Sequence, residues 1–140
     1  MTPDRPAARR IFETALYGDD IPAMRDFYER VLGLETVSEM AERGVALRCG
    51  PGVLLLFDPD VTGEGSELVG AHGARGPGHV AFSVPAEELD VWRAHLADCG
   101  VEIESEVHWP AGGRSVYFRD PAGNSVELAV QPMWGLEDGG

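Results

Sequence analysis

The first half of the chain switches from alternating apolar positions to helical spacing and back again. Residues 11–17 alternate between the two faces of a predicted strand. After Asp19-Asp20-Ile21-Pro22, a typical helix start, apolar residues recur at helical spacing until Gly33: Ile21, Met24, Phe27, Tyr28, Val31 and Leu32. Short extended segments separated by turn residues follow, at 34–38, 44–49 and 53–57. This half therefore predicts the element order βαβββ.

The second half of the chain repeats that order. Residues 79–84 alternate, and a helical pattern then runs from Pro85 to Gly100 on four apolar positions: Leu89, Trp92, Leu96 and Cys99. Three further extended segments follow, at 101–106, 113–118 and 125–130. The repeat predicts an α+β fold in which two tandem βαβββ modules form curved mixed sheets around a cavity.

The domain organisation follows from this repeat and from the length of the chain. At 140 residues, the chain is long enough to bury one continuous core without disulfides or metals. Between the modules, glycines at six positions predict a linker or mobile loop rather than an element. We expect a single domain over residues 11–131, and the predicted parts are, in order, a flexible leader (1–10), module one (11–58), the linker (59–78), module two (79–131) and a C-terminal tail (132–140).

The charged residues exclude several function classes. A net charge of −13 at pH 7 argues against nucleic acid and anionic membrane surfaces as partners, because both are bound through positive fields. All eleven basic residues are arginines, so Schiff-base, pyridoxal-phosphate and P-loop chemistry, which need lysine, are excluded.

Cysteine usage and the apolar runs bear on the compartment. Cys49 and Cys99 form no C-x-x-C pair and no disulfide framework, which agrees with a reducing compartment. No apolar run approaches the ~20 residues that a membrane span needs. The N-terminal residues lack the apolar core of a signal peptide. We expect a cytoplasmic protein.

The repeat and the strand faces single out three polar side chains. Glu13 and His79 occupy matching places at the head of the first strand of each module. In the closing strand, Glu127 shares a face with Ser125 and Ala129, whereas the opposite face is bulky and apolar. Each of the three therefore lies on a strand face with small or polar neighbours, and two curved sheets could bring these faces around one cavity.

Several motifs together resemble the vicinal oxygen chelate superfamily. They lie at residues 13–20, at 78–82 and at 118–128, where Asp-Pro-Ala-Gly-Asn-Ser-Val-Glu-Leu is the most specific piece. That superfamily includes glyoxalase I, bleomycin-resistance proteins, fosfomycin-resistance enzymes, methylmalonyl-CoA epimerase and extradiol dioxygenases. The resemblance covers about residues 11–131. It implies a divalent metal ion on Glu13, His79 and Glu127, and a homodimer.

The chain departs from the pattern of that superfamily at two places. The first metal position is most often histidine, or glutamine in some glyoxalases, and here it is Glu13. A four-ligand glyoxalase also has a glutamate in the last strand of module one, where this chain has only leucines: Leu54, Leu55 and Leu56. One histidine with two carboxylates favours hard ions such as Mn²⁺ or Fe²⁺ and is compatible with Zn²⁺ or Ni²⁺.

The resemblance implies a metal-dependent enzyme that chelates two adjacent oxygens of a small substrate. Isomerase or lyase chemistry is favoured, with Glu13 or Glu127 as general base. One alternative is a bleomycin-resistance-like protein that sequesters a drug or metabolite without turnover. The other is an Fe(II) extradiol-type dioxygenase, although such oxygenases use two histidines and one carboxylate.

Five further residues are candidates for binding the substrate: His72, Arg48, Trp109, Arg114 and Tyr117. The arginines, with Arg119, suit an anionic group. A loop histidine such as His72 is equally typical of an exposed surface. Trp109 and its neighbour His108 also fit packing or dimer contacts. Strand alternation places Arg114 on the opposite face from Tyr117 and leaves open which face lines the cavity.

Overall fold

Each half of the chain forms one four-stranded mixed sheet. The structure is a computed structural model that describes residues 5–65 and 69–136. The first half contains β1 (Glu13–Tyr17), α1 (Ile21–Arg30), β2 (Glu35–Glu39), β3 (Gly44–Cys49) and β4 (Gly52–Phe57). The second half contains β5 (His79–Ser83), a 3₁₀ turn (Ala86–Glu88), α3 (Leu89–Asp98), β6 (Ser105–His108), β7 (Arg114–Arg119) and β8 (Ser125–Val130). A short helix, α2 (Pro59–Thr62), lies between them.

The two sheets have the same topology, which confirms the predicted duplication. Their strand orders are β1-β4-β3-β2 and β5-β8-β7-β6. In both, the first strand runs parallel to the fourth, while the remaining pairs are antiparallel. Neither sheet closes into a barrel, because β1 and β2, and likewise β5 and β6, remain edge strands. The α+β prediction with two tandem βαβββ modules is therefore correct.

The helices cover one face of each sheet and leave the other face open. The buried core takes alternate strand positions together with the apolar sides of α1 and α3: Leu16, Met24, Phe27, Tyr28, Leu47, Leu54, Leu56, Leu89, Leu96, Val116, Phe118, Val126 and Leu128. On the opposite face, Glu13, Arg48, His79 and Ala81 are exposed. This helix-free side of each sheet is called its open face below.

A buried polar network joins the modules. The Tyr28 hydroxyl donates to Asp120 Oδ2 at 2.8 Å, linking α1 to the turn before β8. Asn124 donates from Nδ2 to the Tyr17 carbonyl at 3.3 Å and accepts from the Gly78 amide at 2.7 Å. His95 Nε2 lies 2.9 Å from the Val31 carbonyl oxygen, so α3 also contacts the end of α1.

The predicted linker contains an element that the glycine content concealed. Residues 59–78 were expected to lack regular structure, and that is wrong for α2. Asp58 accepts a hydrogen bond from the Asp60 amide and Pro59 occupies the first turn, so a capped helix start is present in the sequence. Residues 66–68 of the linker, 1–4 of the leader and 137–140 of the tail lie outside the described residues.

The predicted strand at 101–106 is also shorter than expected, because β6 begins at Ser105. Val101 and Ile103 pack against the core from an irregular connection. Their alternation with glutamates therefore reflects burial of every second side chain rather than strand pairing. In the parts of the chain that the structure describes, every helix is too short or too polar to cross a membrane.

Candidate metal centre

His79 and Glu127 lie side by side on the open face of the second sheet. The parallel pairing of β5 with β8 sets Ala81 opposite Glu127 and His79 opposite Ser125. His79 Nε2 is 3.2 Å from Glu127 Oε1. The glutamate is buried, whereas the imidazole has 51% of its side-chain surface exposed. The pair thus presents a nitrogen and an oxygen to one point at the surface of the sheet.

The hydrogen bond of His79 Nδ1 determines what can lie between His79 Nε2 and Glu127 Oε1. Nδ1 is 3.1 Å from the Ser125 carbonyl oxygen, which can only accept, so Nδ1 carries a proton. In the neutral ring, Nε2 then points a lone pair at a carboxylate oxygen. Either a second proton on the ring or a cation shared by both atoms is needed to relieve this repulsion.

The spacing of the pair suits a shared divalent ion. Two ligand atoms bonded at about 2.1 Å, with an angle between 90° and tetrahedral, are roughly 3.0–3.4 Å apart. The observed 3.2 Å falls in that interval. A carbonyl that fixes the tautomer of a histidine is also the usual support of a metal-binding imidazole. The donor set therefore fits a metal ion without rearrangement.

Two side chains of the second module fix the carboxylate of Glu127. The hydroxyl of Ser115, which is fully buried, donates to Glu127 Oε2. Trp109 Nε1 in turn donates to Ser115 Oγ at 2.8 Å. Because Oε2 is held in this way, Oε1 remains directed toward His79. The hydrogen bonds from Trp109 to Ser115 and from Ser115 to Glu127 thus orient the other carboxylate oxygen toward His79.

Tyr117 completes the polar part of this face. It lies directly opposite Glu127 in the register of β7 with β8, and its ring stacks near that of His79 with centroids 6.3 Å apart. Desolvation, followed by the negative charge of Glu127, raises the pKa of the Tyr117 phenol above its ordinary value. The phenol is therefore a neutral hydrogen-bond donor at physiological pH.

Sequence reasoning did not select Ser115 as a functional residue. A serine in a strand carries no motif of its own, and its importance arises from the cross-strand register that brings it to Glu127. A signal was nevertheless present, since Ser115 is two residues before Tyr117 and therefore shares its face.

Glu13 lies on the open face of the first sheet, away from the pair. It is exposed, and no other described residue forms a hydrogen bond or ion pair with its carboxylate. Within residues 5–65 and 69–136, no three His, Cys, Asp or Glu side chains are grouped closely enough to hold a metal. A single chain therefore brings together two of the three predicted ligands.

The registers of the two sheets identify the counterpart of Glu127 in the first module. Glu127 pairs with Ala81, two residues after His79. In the first sheet, Leu55 pairs with Ala15, two residues after Glu13. Leu55 is therefore the leucine that stands where a fourth ligand would lie. The duplicated scaffold offers four matching positions, and only three carry a donor side chain.

The remaining candidates lie in three different places. His72 contacts the first sheet near the end of β1, where its Nδ1 is 2.7 Å from the Tyr17 hydroxyl. Arg48 is exposed on the same open face as Glu13. Arg114 pairs with Val130 and lies on the opposite side of β7 from Tyr117, toward the helix-covered face. The structure thus joins Trp109 and Tyr117 to the His79–Glu127 pair and places the others elsewhere.

A family model settles the resemblance that the motifs suggested. The model of the Glyoxalase/Bleomycin resistance protein/Dioxygenase superfamily matches residues 10–128. The chain belongs to this superfamily. The fold, the duplicated sheets and the vicinal oxygen chelate motifs all agree with that membership.

Individual known proteins are similar to the chain to different degrees. Lactoylglutathione lyase from Agrobacterium tumefaciens has a solved structure with a TM-score of 0.86 and 41% identity, covering 95% of this chain and 100% of that one. An integron cassette protein from V. cholerae gives a TM-score of 0.71 at 30% identity, covering 91% and 99%. Metallothiol transferase FosB from Bacillus licheniformis is 29% identical over 110 residues, which are 78% of this chain and 67% of FosB.

Proposed function

We propose that this protein is a metal-dependent enzyme that binds two adjacent oxygens of a small substrate to a divalent ion. The observation that carries the proposal is the His79–Glu127 pair, whose facing nitrogen and oxygen, 3.2 Å apart, need a cation between them when the ring is neutral. The fixed carboxylate supports the same conclusion, because the Ser115 hydroxyl holds its second oxygen.

Glu13 is the third ligand, and a second copy of the chain supplies it. Within the described parts of one chain, Glu13 has no hydrogen-bond or ion-pair partner, and no third candidate ligand lies beside the His79–Glu127 pair. In the dimer we propose, a two-fold axis, the commonest symmetry of homo-oligomers, pairs the first sheet of one copy with the second sheet of the other twice over. Each such pairing brings one Glu13 to one His79–Glu127 pair, so a homodimer has two identical sites.

The chemistry of the three donors indicates which metal ion is bound and which residue acts as a fixed ligand or as the general base. Two carboxylates and one imidazole favour Mn²⁺ or Fe²⁺ over softer ions and remain compatible with Zn²⁺ and Ni²⁺. An ion held there supplies Lewis-acid stabilisation of the negative charge that develops on a substrate oxygen. Glu127 is fixed by Ser115 and remains a ligand. Glu13 has no partner among the described residues and is the better general base.

Isomerase or lyase chemistry is the reaction class that these roles suit best. A carboxylate base can remove a proton from the carbon next to a carbonyl. Return of the proton to the neighbouring carbon isomerises the substrate, whereas loss of a leaving group from a carbon next to the deprotonated one is a lyase reaction. The name of the 41% identical protein, lactoylglutathione lyase, supports this class. The leucine at position 55 means that the site has three protein ligands and leaves more of the coordination sphere to substrate or water.

Metal analysis combined with turnover assays tests the proposed function. We expect the purified protein to hold about one divalent ion per chain and to consume lactoylglutathione or a related 2-hydroxyacyl thioester. His79→Ala and Glu127→Ala should both lose the ion and the activity. His79 is half exposed, so its replacement is expected to leave the fold intact even where Glu127→Ala does not. Glu42→Ala, in an exposed loop, is the matched control and should retain both.

Other outcomes of the same experiment contradict the proposal. A metal-free protein that binds a drug or metabolite with unchanged affinity after His79→Ala would identify a sequestering protein. Oxygen uptake with catechols that depends on added Fe²⁺ would identify an extradiol-type dioxygenase. Wild-type metal content in His79→Ala would exclude the proposed centre.

Removal of the Ser115 hydroxyl is expected to weaken metal binding without removing any ligand. Ser115→Ala frees Glu127 Oε2 and leaves the Trp109 N–H without its acceptor. Loss of such a supporting hydrogen bond typically lowers metal affinity roughly 10- to 100-fold. Competition with a chromophoric chelator measures this change, and Ser105→Ala, at an exposed position of β6, serves as the control. Equal affinities in wild type and Ser115→Ala would mean that the hydroxyl does not position the ligand.

A further inference from the structure

Arg48 occupies a defined position relative to Glu13 on the open face of the first sheet. Glu13 pairs with Val53 on β4, and Val53 pairs with Arg48 on β3, so the three residues form one row across the sheet. Adjacent strands lie about 4.8 Å apart, which places the Cα atoms of Glu13 and Arg48 roughly 10 Å apart. An extended arginine side chain can cover much of that distance.

The guanidinium of Arg48 has no partner among the described residues. In this acidic protein, several other arginines are bound to carboxylates: Arg25, Arg30, Arg75, Arg93 and Arg119. Arg119 is the counterpart of Arg48 in the second module, because it pairs with Ser125 as Arg48 pairs with Val53. Arg119 binds Glu104 at 2.8 Å, whereas Arg48 forms no ion pair even though Glu35 lies opposite it on β2.

The surface between Glu13 and Arg48 is apolar. Val53 and Leu55 are half-buried on this face, and Ala46 is buried beside them. The row therefore has a carboxylate at one end, an unpaired cation at the other and a hydrocarbon floor between. An ionic contact strengthens when apolar surface and a bound ligand exclude water from it, so this arrangement suits an anionic group.

We propose that Arg48 binds an anionic group of the substrate, a carboxylate or a phosphonate, a few carbon atoms away from the two oxygens that chelate the metal. This inference rests on the proposed function, since it takes the chelating end of the substrate to lie at Glu13. It names the substrate class of that site as a chelating molecule with a distal anion. Arg48 is a specificity-determining residue in this arrangement, because its fork-shaped guanidinium matches the geometry of such groups.

Two keto acids that differ only at their distal end test the inference. 2-Oxoglutarate and 2-oxopentanoate share the same vicinal oxygens, but only the first has a distal carboxylate. In calorimetric titrations of the Mn²⁺-loaded protein, we expect 2-oxoglutarate to bind roughly 10- to 100-fold more tightly. Arg48→Gln should reduce that ratio to near one by weakening 2-oxoglutarate alone. Arg48→Lys keeps the charge without the fork and should give an intermediate ratio.

A third ligand and a control variant complete the experiment. 2-Oxo-4-phosphonobutanoate has a phosphonate in place of the distal carboxylate, and its affinity relative to 2-oxoglutarate identifies which anion the site prefers. Arg30→Gln makes the same change in charge on the helix side and should leave every ratio unchanged. Equal binding of both keto acids by the loaded protein, or a preference that survives Arg48→Gln, would overturn the anion site and leave the metal centre standing. A protein that binds no metal would overturn the proposed function and this inference together.

Discussion

Two inactive variants, Glu13→Ala and His79→Ala, are expected to form an active heterodimer when they are combined in one molecule. In the proposed dimer, each site takes Glu13 from one chain and the His79–Glu127 pair from the other. One site of the heterodimer then lacks both side chains, while the other site is intact. The heterodimer, isolated through two different affinity tags, should have about half the activity of the wild-type dimer, because one of its two sites is complete.

A second heterodimer is the matched control for this result. When His79→Ala is combined with Glu127→Ala, each site lacks one ligand from the same module, because both changes affect the second sheet. This heterodimer should remain inactive and hold no metal. If the two heterodimers behave alike, the three ligands do not come from two chains, and the proposed assembly is wrong.

Asp120→Ala is expected to lower the free energy of unfolding by roughly 3–5 kcal/mol, because it leaves several buried donors without an acceptor. The Asp120 carboxylate is only 5% exposed and accepts from the Tyr28 hydroxyl, the amides of Ala122 and Asn124, and the Asn124 side chain. Burial, together with the charge of Asp120, raises the pKa of Tyr28, so its phenol keeps its proton and donates throughout the physiological range. Urea denaturation measures the loss.

Tyr28→Phe separates the contribution of the contact between modules from that of the turn. It removes one donor to Asp120 and leaves the other three, so a smaller loss of roughly 1–2 kcal/mol is expected. If both variants lose a similar free energy of unfolding, the Tyr28–Asp120 hydrogen bond alone accounts for the stabilisation by the network. A loss below about 1 kcal/mol for Asp120→Ala would show that the network adds little to stability.

The fold was predictable because the same pattern of apolar and polar residues occurs in both halves of the chain. Each module repeats the same change from alternation to helical spacing, so an error in one half is corrected by the other. The errors occurred at residues 59–62 and 101–104, where the two modules differ in structure. Val101 and Ile103 alternate with glutamates as a strand would, and only the hydrogen bonds of β6 show that pairing begins at Ser105. The helix at Pro59–Thr62 has no counterpart in the second module, and the glycines around it concealed its cap.

The candidate site was predictable only in part, because a site depends on register as well as on faces. Strand alternation placed Glu13, His79 and Glu127 on polar faces, since alternation is local in sequence. The contact of Ser115 with Glu127 depends on which residues of β7 and β8 are opposite each other, and turn geometry decides this. The separation of Glu13 from the other two depends on how two sheets pack, which no local pattern encodes.

Leu55 has a consequence for how copies of this chain recognise one another. If the two halves of the chain were identical, two copies could pair their open faces in three equivalent ways. The first sheet could face the partner's first sheet, the second sheet could face the partner's second sheet, or the first sheet could face the partner's second sheet. The halves are not interchangeable, because Glu13 stands where the second module has His79 and Leu55 stands where it has Glu127. First with first would supply two Glu13 carboxylates and no imidazole, whereas second with second would leave both Glu13 side chains without a histidine. In the proposed dimer, the differences between Glu13 and His79 and between Leu55 and Glu127 thus give the assembly a direction, in which one Glu13 faces one His79–Glu127 pair.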